Sequence, residues 1–260
     1  MIYMINHLPA WQLLILFAAI SICLMFFFHK IVRFFLDKYV PGYKSDLAIN
    51  IHNSVSTILA LIVAFSMVQA VATYKQTEHI VRQEAVRINN LDRLLVRYGS
   101  ADLEPVRIAL RQYAQSIVTD EWSAMDDGHM SKKTDALFKP VSKGVIDIKA
   151  ATPRENSLYS EMIKLTDLLA DSRNDRLDAA EFSIPAVFWL LIIVILLLKS
   201  CLSAFAERSR SADFVLAVQM AAFSSLLSLT FTFDEPLKGD AAIKPTAIVE
   251  VIEVITQRSN

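Results

Sequence analysis

Four apolar blocks interrupt an otherwise mixed chain and predict helices over residues 11–28, 54–73, 184–205 and 213–233. Each comes close to the about 20 residues that an α-helix needs to cross a hydrocarbon core about 30 Å thick. Hydrocarbon offers backbone amides no partners, so a spanning segment must bond within itself, and the alternation of a membrane barrel is absent from these blocks. Trp11 precedes the first block and His29-Lys30 follow it. No basic stretch leads into it and no small-residue cleavage site follows Phe26-Phe27-Phe28, which predicts a retained helix rather than a signal peptide. Lys199 interrupts the third block, and its long stem is expected to let the ammonium snorkel to the interface.

Residues 74–183 mix acids and bases in near balance and keep a helical period. Val81, Ala85, Ile88, Leu91 and Leu95 form one stripe, Leu103, Val106, Leu110, Tyr113 and Ile117 a second, and Leu158, Met162, Leu165 and Leu169 a third. Gly99-Ser100 separates the first two helices, and residues 126–151 read as a poorly structured or short-helical connection. Thr152-Pro153-Arg154-Glu155 restarts the chain as a capping box: Thr152 caps, Pro153 takes the first helical position, and Glu155 returns a bond to the cap. Only Pro185 interrupts 55–98 or 158–205, so two long helices are expected to leave the bilayer and pack in water with a helix over 103–125. The organisation is then a first transmembrane pair in 1–73, a water-exposed helical bundle in 74–183, a second pair in 184–234 and a tail in 235–260. The fold class is all-α, an integral membrane protein with four transmembrane helices.

Composition agrees with that division. Hydrophobic residues make up 54% of the chain, too many for an ordinary soluble fold, and 20% are charged, too many for one lying wholly in lipid. The net charge of −1 and the absence of a lysine and arginine run exclude nucleic acid as a partner. The two cysteines, Cys23 and Cys201, fall inside apolar blocks, where a disulfide is not expected. The five histidines lack the spacing of a metal pair, and no cofactor is implied. A phosphate loop, a nucleophile elbow and HExxH are all missing, so the chain is not read as an enzyme.

Short loops orient a membrane protein through their basic residues, here Lys30, Arg33, Lys38 and Lys44 in the first and Lys199, Arg208 and Arg210 in the last. Alone they place both loops in the cytoplasm, and the bundle outside.

Several stretches recur in a recognisable order: His52-Asn53 opening the second block, Tyr74 to Leu95 with Glu84-Ala85 at its centre, Arg111-Gln112-Tyr113, Asp120-Glu121-Trp122, Ala151 to Glu155 around Pro153, Leu158-Tyr159, and the ending Asp234-Glu235-Pro236-Leu237-Lys238-Gly239-Asp240. Over roughly residues 45–250 this order resembles the bestrophin-like domain proteins of bacteria, a group named for kinship to bestrophin chloride channels. The resemblance implies a homo-oligomer, a pentamer, in the bacterial plasma (inner) membrane, with the second helix lining an axial anion pathway and the large helical part in the cytoplasm. That placement opposes the one from loop charge. Glu235 and Leu237 depart from the basic and aromatic residues more frequent in the family, so the resemblance assigns that part of the tail no role.

On the second span Asn50, Asn53, Thr57, Ala60 and Ala64 share one face, polar first and then small. Amides and hydroxyls there can replace part of an anion's water shell. Small and polar residues also serve close helix packing, which is the competing reading. Ile58, Ile62, Phe65 and Gln69 form a different face, suited to a dewetting constriction or to plain lipid contact. The cores of the first, second and fourth blocks hold no ionised side chain, which argues against a proton-driven, motor-type channel. Asp234, Glu235 and Asp240 around Gly239 offer oxygen ligands for calcium, and equally a turn that ends the fourth span. The reading is a passive channel for chloride or similar anions, working in the lipid bilayer as an assembly of copies of itself. The rival is a membrane-anchored sensor or scaffold whose bundle binds a ligand or partner protein.

Overall fold

The computed structural model describes residues 8–40, 45–126, 128–206 and 209–258; His7 and the loop charges Lys44 and Arg208 lie outside the described residues. Among the described residues every regular element is helical: α1 (Ala10–Tyr39), α2 (Ser45–Tyr98), α3 (Glu104–Ser116), α4 (Trp122–Asp126), α5 (Lys132–Ile146), α6 (Pro153–Ala179), α7 (Ala186–Leu202), α8 (Arg210–Asp234) and α9 (Thr246–Gln257). Four of them, α1, α2, α7 with its extension to Phe205, and α8, are long and apolar enough to cross a membrane. The all-α, four-span class expected from the apolar blocks is the class observed.

The described residues divide into two compact units. One holds α1, α2 as far as Thr73, α7 and α8. Its α1 packs along α8 and α7. The packed centre is small: Leu59, Val63, Ile192, Ile195 and Leu227 form one cluster, and Met25, Leu216 and Met220 another. Ile15, Phe27, Leu61, Phe65, Leu190, Ile193 and Phe214 instead point outward. Lipid tails are as apolar as leucine, so no hydrophobic force draws such side chains inward; close packing at small residues holds the helices together. Ser56, Ser200, Ser224 and Ser228 are buried between helices, their hydroxyls bonded to a carbonyl of their own helix where a bond is formed, as Ser224 Oγ is to Met220 O at 2.8 Å.

The other unit holds the rest of α2, α3 to α6, and α9. Its core contains all of the first two sequence stripes, with Met162 and Leu169 of the third. The connection read as poorly structured or short-helical contains a regular helix of 15 residues, α5, from Lys132 to Ile146 despite Pro140. It packs on α3, where a side chain on Gly144 would bring its Cβ to 2.4 Å from Val106 Cγ2. The absence of a side chain at Gly144 is therefore what allows that approach. Helix α9 was not assigned in sequence; Ile248 and Ile255 bury one of its faces in this core. Arg258, just beyond α9, bonds Asp92 and donates to Asn89 Oδ1 at 2.9 Å, and Arg107 Nε donates to Asp92 Oδ1 at 3.0 Å.

The capping box forms as read. Thr152 Oγ1 accepts from Glu155 N at 3.2 Å, and Glu155 Oε2 accepts from Thr152 N at 3.2 Å and Ala151 N at 2.7 Å. Those backbone donors, Ala151 N–H first, hold the Glu155 carboxyl below its usual range. A depressed carboxyl stabilises the fold above its unfolded pKa and loses that contribution as pH falls through its folded value. Thr152→Ala is expected to cost about 1 kcal/mol, the usual worth of a lost N-cap, read by thermal unfolding in detergent at neutral pH. The part of that loss owed to Glu155 should vanish in acid.

One expectation is corrected. The long helix expected over 158–205, interrupted only by Pro185, is two helices: the first ends at Ala179 and the second begins at Ala186. Pro185 has no N–H and forces an extended residue before it, so the helical ladder cannot pass through.

Candidate functional site

Along its membrane-spanning part α2 presents three flanks. Ala48, His52, Ser56, Leu59, Val63, Ser66 and Ala70 recur at three- and four-residue spacing and are buried in the membrane unit. On one side of this stripe, Asn50, Asn53, Thr57 and Ala64 are exposed and Ala60 is half-buried. On the other side, Ile58 and Phe65 are exposed and Ile62 packs against the Leu59 and Val63 cluster. At about 100° per residue the polar and apolar flanks stand well over a quarter-turn apart. One helix cannot turn both toward the same axis at the same height. Thr57 Oγ1 donates to Asn53 O at 3.1 Å, and Ser54 Oγ to Asn50 O at 3.0 Å. A hydroxyl whose proton is held by its own helix offers an ion only lone pairs, so the Asn50 and Asn53 amides are the donors of that flank.

Behind the same turns of α2 lies a polar cluster that corrects the reading of Lys199. The side chain does not snorkel to an interface; it is 1% exposed. Its Nζ donates to Ser56 Oγ at 2.7 Å and to Gln219 Oε1 at 2.8 Å, and lies 3.1 Å from His52 Nε2. The ring of Phe223 covers it at 5.3 Å. The physical reason is that α2 and α8 supply three polar partners at the ammonium's own depth, which removes the drive toward water. None of the three is a carboxylate, so the positive charge stays uncompensated by its hydrogen-bond partners. A second polar contact joins α1 to the end of α7: His29 Nδ1 lies 3.1 Å from Ser203 Oγ, His29 Nε2 lies 2.9 Å from Arg33 Nη1, and Arg33 also bonds Ala206 O.

The end of the fourth span is built around Asp234. One carboxylate oxygen accepts from Ile184 N at 2.5 Å and the other from Trp189 Nε1 at 3.1 Å. Both oxygens thus serve the start of α7. Gly239 adopts φ +79°, a left-handed turn favouring glycine, and Asp240 beside it is exposed. Pro236 O accepts from Ile243 N at 2.9 Å. Among the described residues, no group of three or more His, Cys, Asp or Glu converges as a metal site.

In the bundle unit the remaining motif residues converge on a buried ion network. Glu84 of α2 and Glu121 are both fully buried, and Arg176 of α6 lies between them, Nε 2.6 Å from Glu84 Oε2 and Nη2 2.7 Å from Glu121 Oε2. Arg173, one turn earlier on α6, meets Glu121 Oε1 at 2.6 Å and Asp135 at 3.2 Å. The wide turn Ile117–Glu121 sends both of its end residues inward, which brings Glu121 to the arginines. Tyr113 donates to Glu84 at 3.4 Å, and the Trp122 ring lies under the Arg176 guanidinium at 5.5 Å while its Nε1 donates to Ile243 O at 3.1 Å. Burial, with the Glu84 charge beside it, pushes the Tyr113 phenol well above its ordinary range. Burial pulls on Arg176 in the opposite sense, but Glu84 and Glu121 outweigh it and hold the guanidinium charged. Pro153 sits at the start of α6, in the cap.

Spans held by small and polar residues, a polar flank left open on α2 and a separate charged-cored bundle define a helical membrane protein. The family model for the Bestrophin-like domain matches residues 45–248, and the chain belongs to that family. Among solved structures the chain is similar to a bacterial bestrophin homologue from Klebsiella pneumoniae carrying a point mutation, with TM-score 0.69 and 14% identity over 94% of this chain and 99% of that one. A second mutant of the same homologue gives TM-score 0.69 and 14% identity over 92% and 97%, and a structure described as a membrane protein gives 0.67 and 14% over 94% and 97%. At that identity the likeness shows the fold. No curated protein matches the sequence.

Proposed function

We propose that the protein is a subunit of a bestrophin-type homo-oligomeric channel in the bacterial inner membrane, a pentamer, in which α2 lines a path for chloride or similar anions. The observation that carries this reading is the polar, small flank of α2 that its own subunit leaves uncovered. The Asn50 and Asn53 amides lie at its mouth, and Thr57, Ala60 and Ala64 follow without a bulky side chain to close the way. Amide donors replace part of an anion's water without holding it too tightly to leave. Charge favours the same sign of ion. Lys199 stands behind this flank through His52 and Ser56, and α2 has no acid between Asp46 and Glu78. The apolar flank with Ile58, Ile62 and Phe65 faces lipid or a neighbouring copy, where such side chains carry no penalty.

Chloride flux from liposomes loaded with the purified protein tests this. Asn53→Leu and Thr57→Leu are expected to reduce flux at least tenfold, the effect of adding about 1.4 kcal/mol to the barrier. Phe65→Ala should leave it unchanged. Unchanged flux in both leucine variants together with raised flux in Phe65→Ala would move the path to the apolar flank. A folded oligomer that passes no ion at either sign of potential would establish the scaffold reading instead.

A further inference from the structure

We infer that the membrane unit carries a binding site for an anionic phospholipid, in the groove between α2 and the start of α8. The groove has a volume of 660 Å³, and its lining includes His52, Asn53, Ser203, Ser209, Ser211 and Gln219. Apolar side chains complete the lining, among them Val215 and Val218 of α8, which are 63% and 52% exposed. A lining that mixes hydroxyl, amide and imidazole groups with exposed apolar side chains matches an amphiphile rather than a free ion.

Charge selects the kind of amphiphile. Lys199, itself outside the lining, hydrogen-bonds both His52 and Gln219 and so puts its ammonium directly behind these two lining side chains. That ammonium has no carboxylate among its partners, and an ion buried in this way gains from a nearby anion. A phosphate held by the hydroxyls and the imidazole supplies one.

Depth fits as well. The apolar run of α1 ends at Phe28 and that of α2 begins at Val55. His29 and His52 therefore mark the level at which hydrocarbon gives way to headgroups, and Ser203 touches His29. His52 and Ser203, at that boundary in the sequence, both line the groove. Basic pockets between transmembrane helices hold anionic headgroups by this combination of charge and hydroxyl donors.

The test is binding of phosphatidylglycerol and of phosphatidylcholine to the full-length protein in dodecyl maltoside micelles, followed by native mass spectrometry and thermal shift. The native protein should prefer phosphatidylglycerol about fivefold, the selectivity that one nearby cation provides. Lys199→Gln should bind both lipids equally. Because that variant disturbs a buried cluster, Val218→Trp provides the second arm: it fills the groove from its exposed wall, and should lose lipid adducts while keeping the native melting temperature without lipid. Equal retention of the two lipids by the native protein overturns the proposal. So does full competition by inorganic phosphate, which would make the occupant a free oxyanion, and so does cross-linking of the Val218→Cys variant to a second copy through position 218 in the presence of bound lipid.

Discussion

Arg176→Met is expected to be the most damaging single substitution in the bundle unit, costing about 3–5 kcal/mol. The side chain is fully buried and bonds two fully buried carboxylates, at 2.6 Å and 2.7 Å. Methionine fills much of the space but leaves Glu84 and Glu121 facing each other with no charge between them, and Arg173 reaches only Glu121. The loss is therefore mainly the cost of leaving the Glu84 carboxylate without a cation in a dry interior while Glu121 keeps Arg173, not the worth of the ion pairs themselves. That distinction is measurable. Adding Glu84→Gln to Arg176→Met removes one stranded charge and should recover part of the stability, whereas Glu84→Gln alone should destabilise. A thermal or denaturant melt of the four proteins in detergent gives the coupling energy directly. Additive effects would mean that the two residues do not interact.

Asp234→Asn is the second, and acts on the membrane unit. Both carboxylate oxygens accept hydrogen bonds, one from Ile184 N–H and one from Trp189 Nε1–H. Asparagine keeps the shape but offers one acceptor and turns an amine toward the other donor, so one of the two is orphaned. An unsatisfied buried donor costs about 1–3 kcal/mol, and the loss of the charged acceptor adds to it. The start of α7 should then fray, read as faster hydrogen exchange at Ile184 to Phe188 and a lower melting temperature. Trp189→Phe removes the donor to the second oxygen of the same carboxylate. If Trp189→Phe in the Asp234→Asn background costs as much as in the native chain, the indole and the carboxylate are not coupled.

Much of this architecture was written in spacing. The buried stripes of α2, α3 and α6 follow the 3.6-residue period because each amphipathic helix has one covered face, and the four apolar blocks follow from the thickness of a bilayer. The ion network is also legible in part, since Arg111, Tyr113, Glu121 and Trp122 read as bundle packing and ion pairing. Glu84 interrupts the stripe that runs through Val81, Ala85 and Ile88, and Arg173 and Arg176 continue the stripe through Met162 and Leu169. An acid on one buried face and two bases on another require each other, since neither is stable alone. His52 and Ser56, four residues apart on the buried stripe of α2, carry a similar hint toward Lys199.

Helix class, number of spans and the covered faces of α3, α6 and the bundle part of α2 are local properties, set by the residues within a few turns, and the order of amino acids was enough for them. Partnership is not local. Lys199 was assigned to an interface because a lone lysine in an apolar run ordinarily leaves it, and only the meeting of α2, α7 and α8, from segments 143 and 20 residues away, supplies the bonds that keep it inside. The same holds for Asp234, whose carboxylate ends one span and begins another 50 residues earlier. A buried charge is tolerated only where several separate segments bring it donors and acceptors at once, and that convergence exists in three dimensions alone.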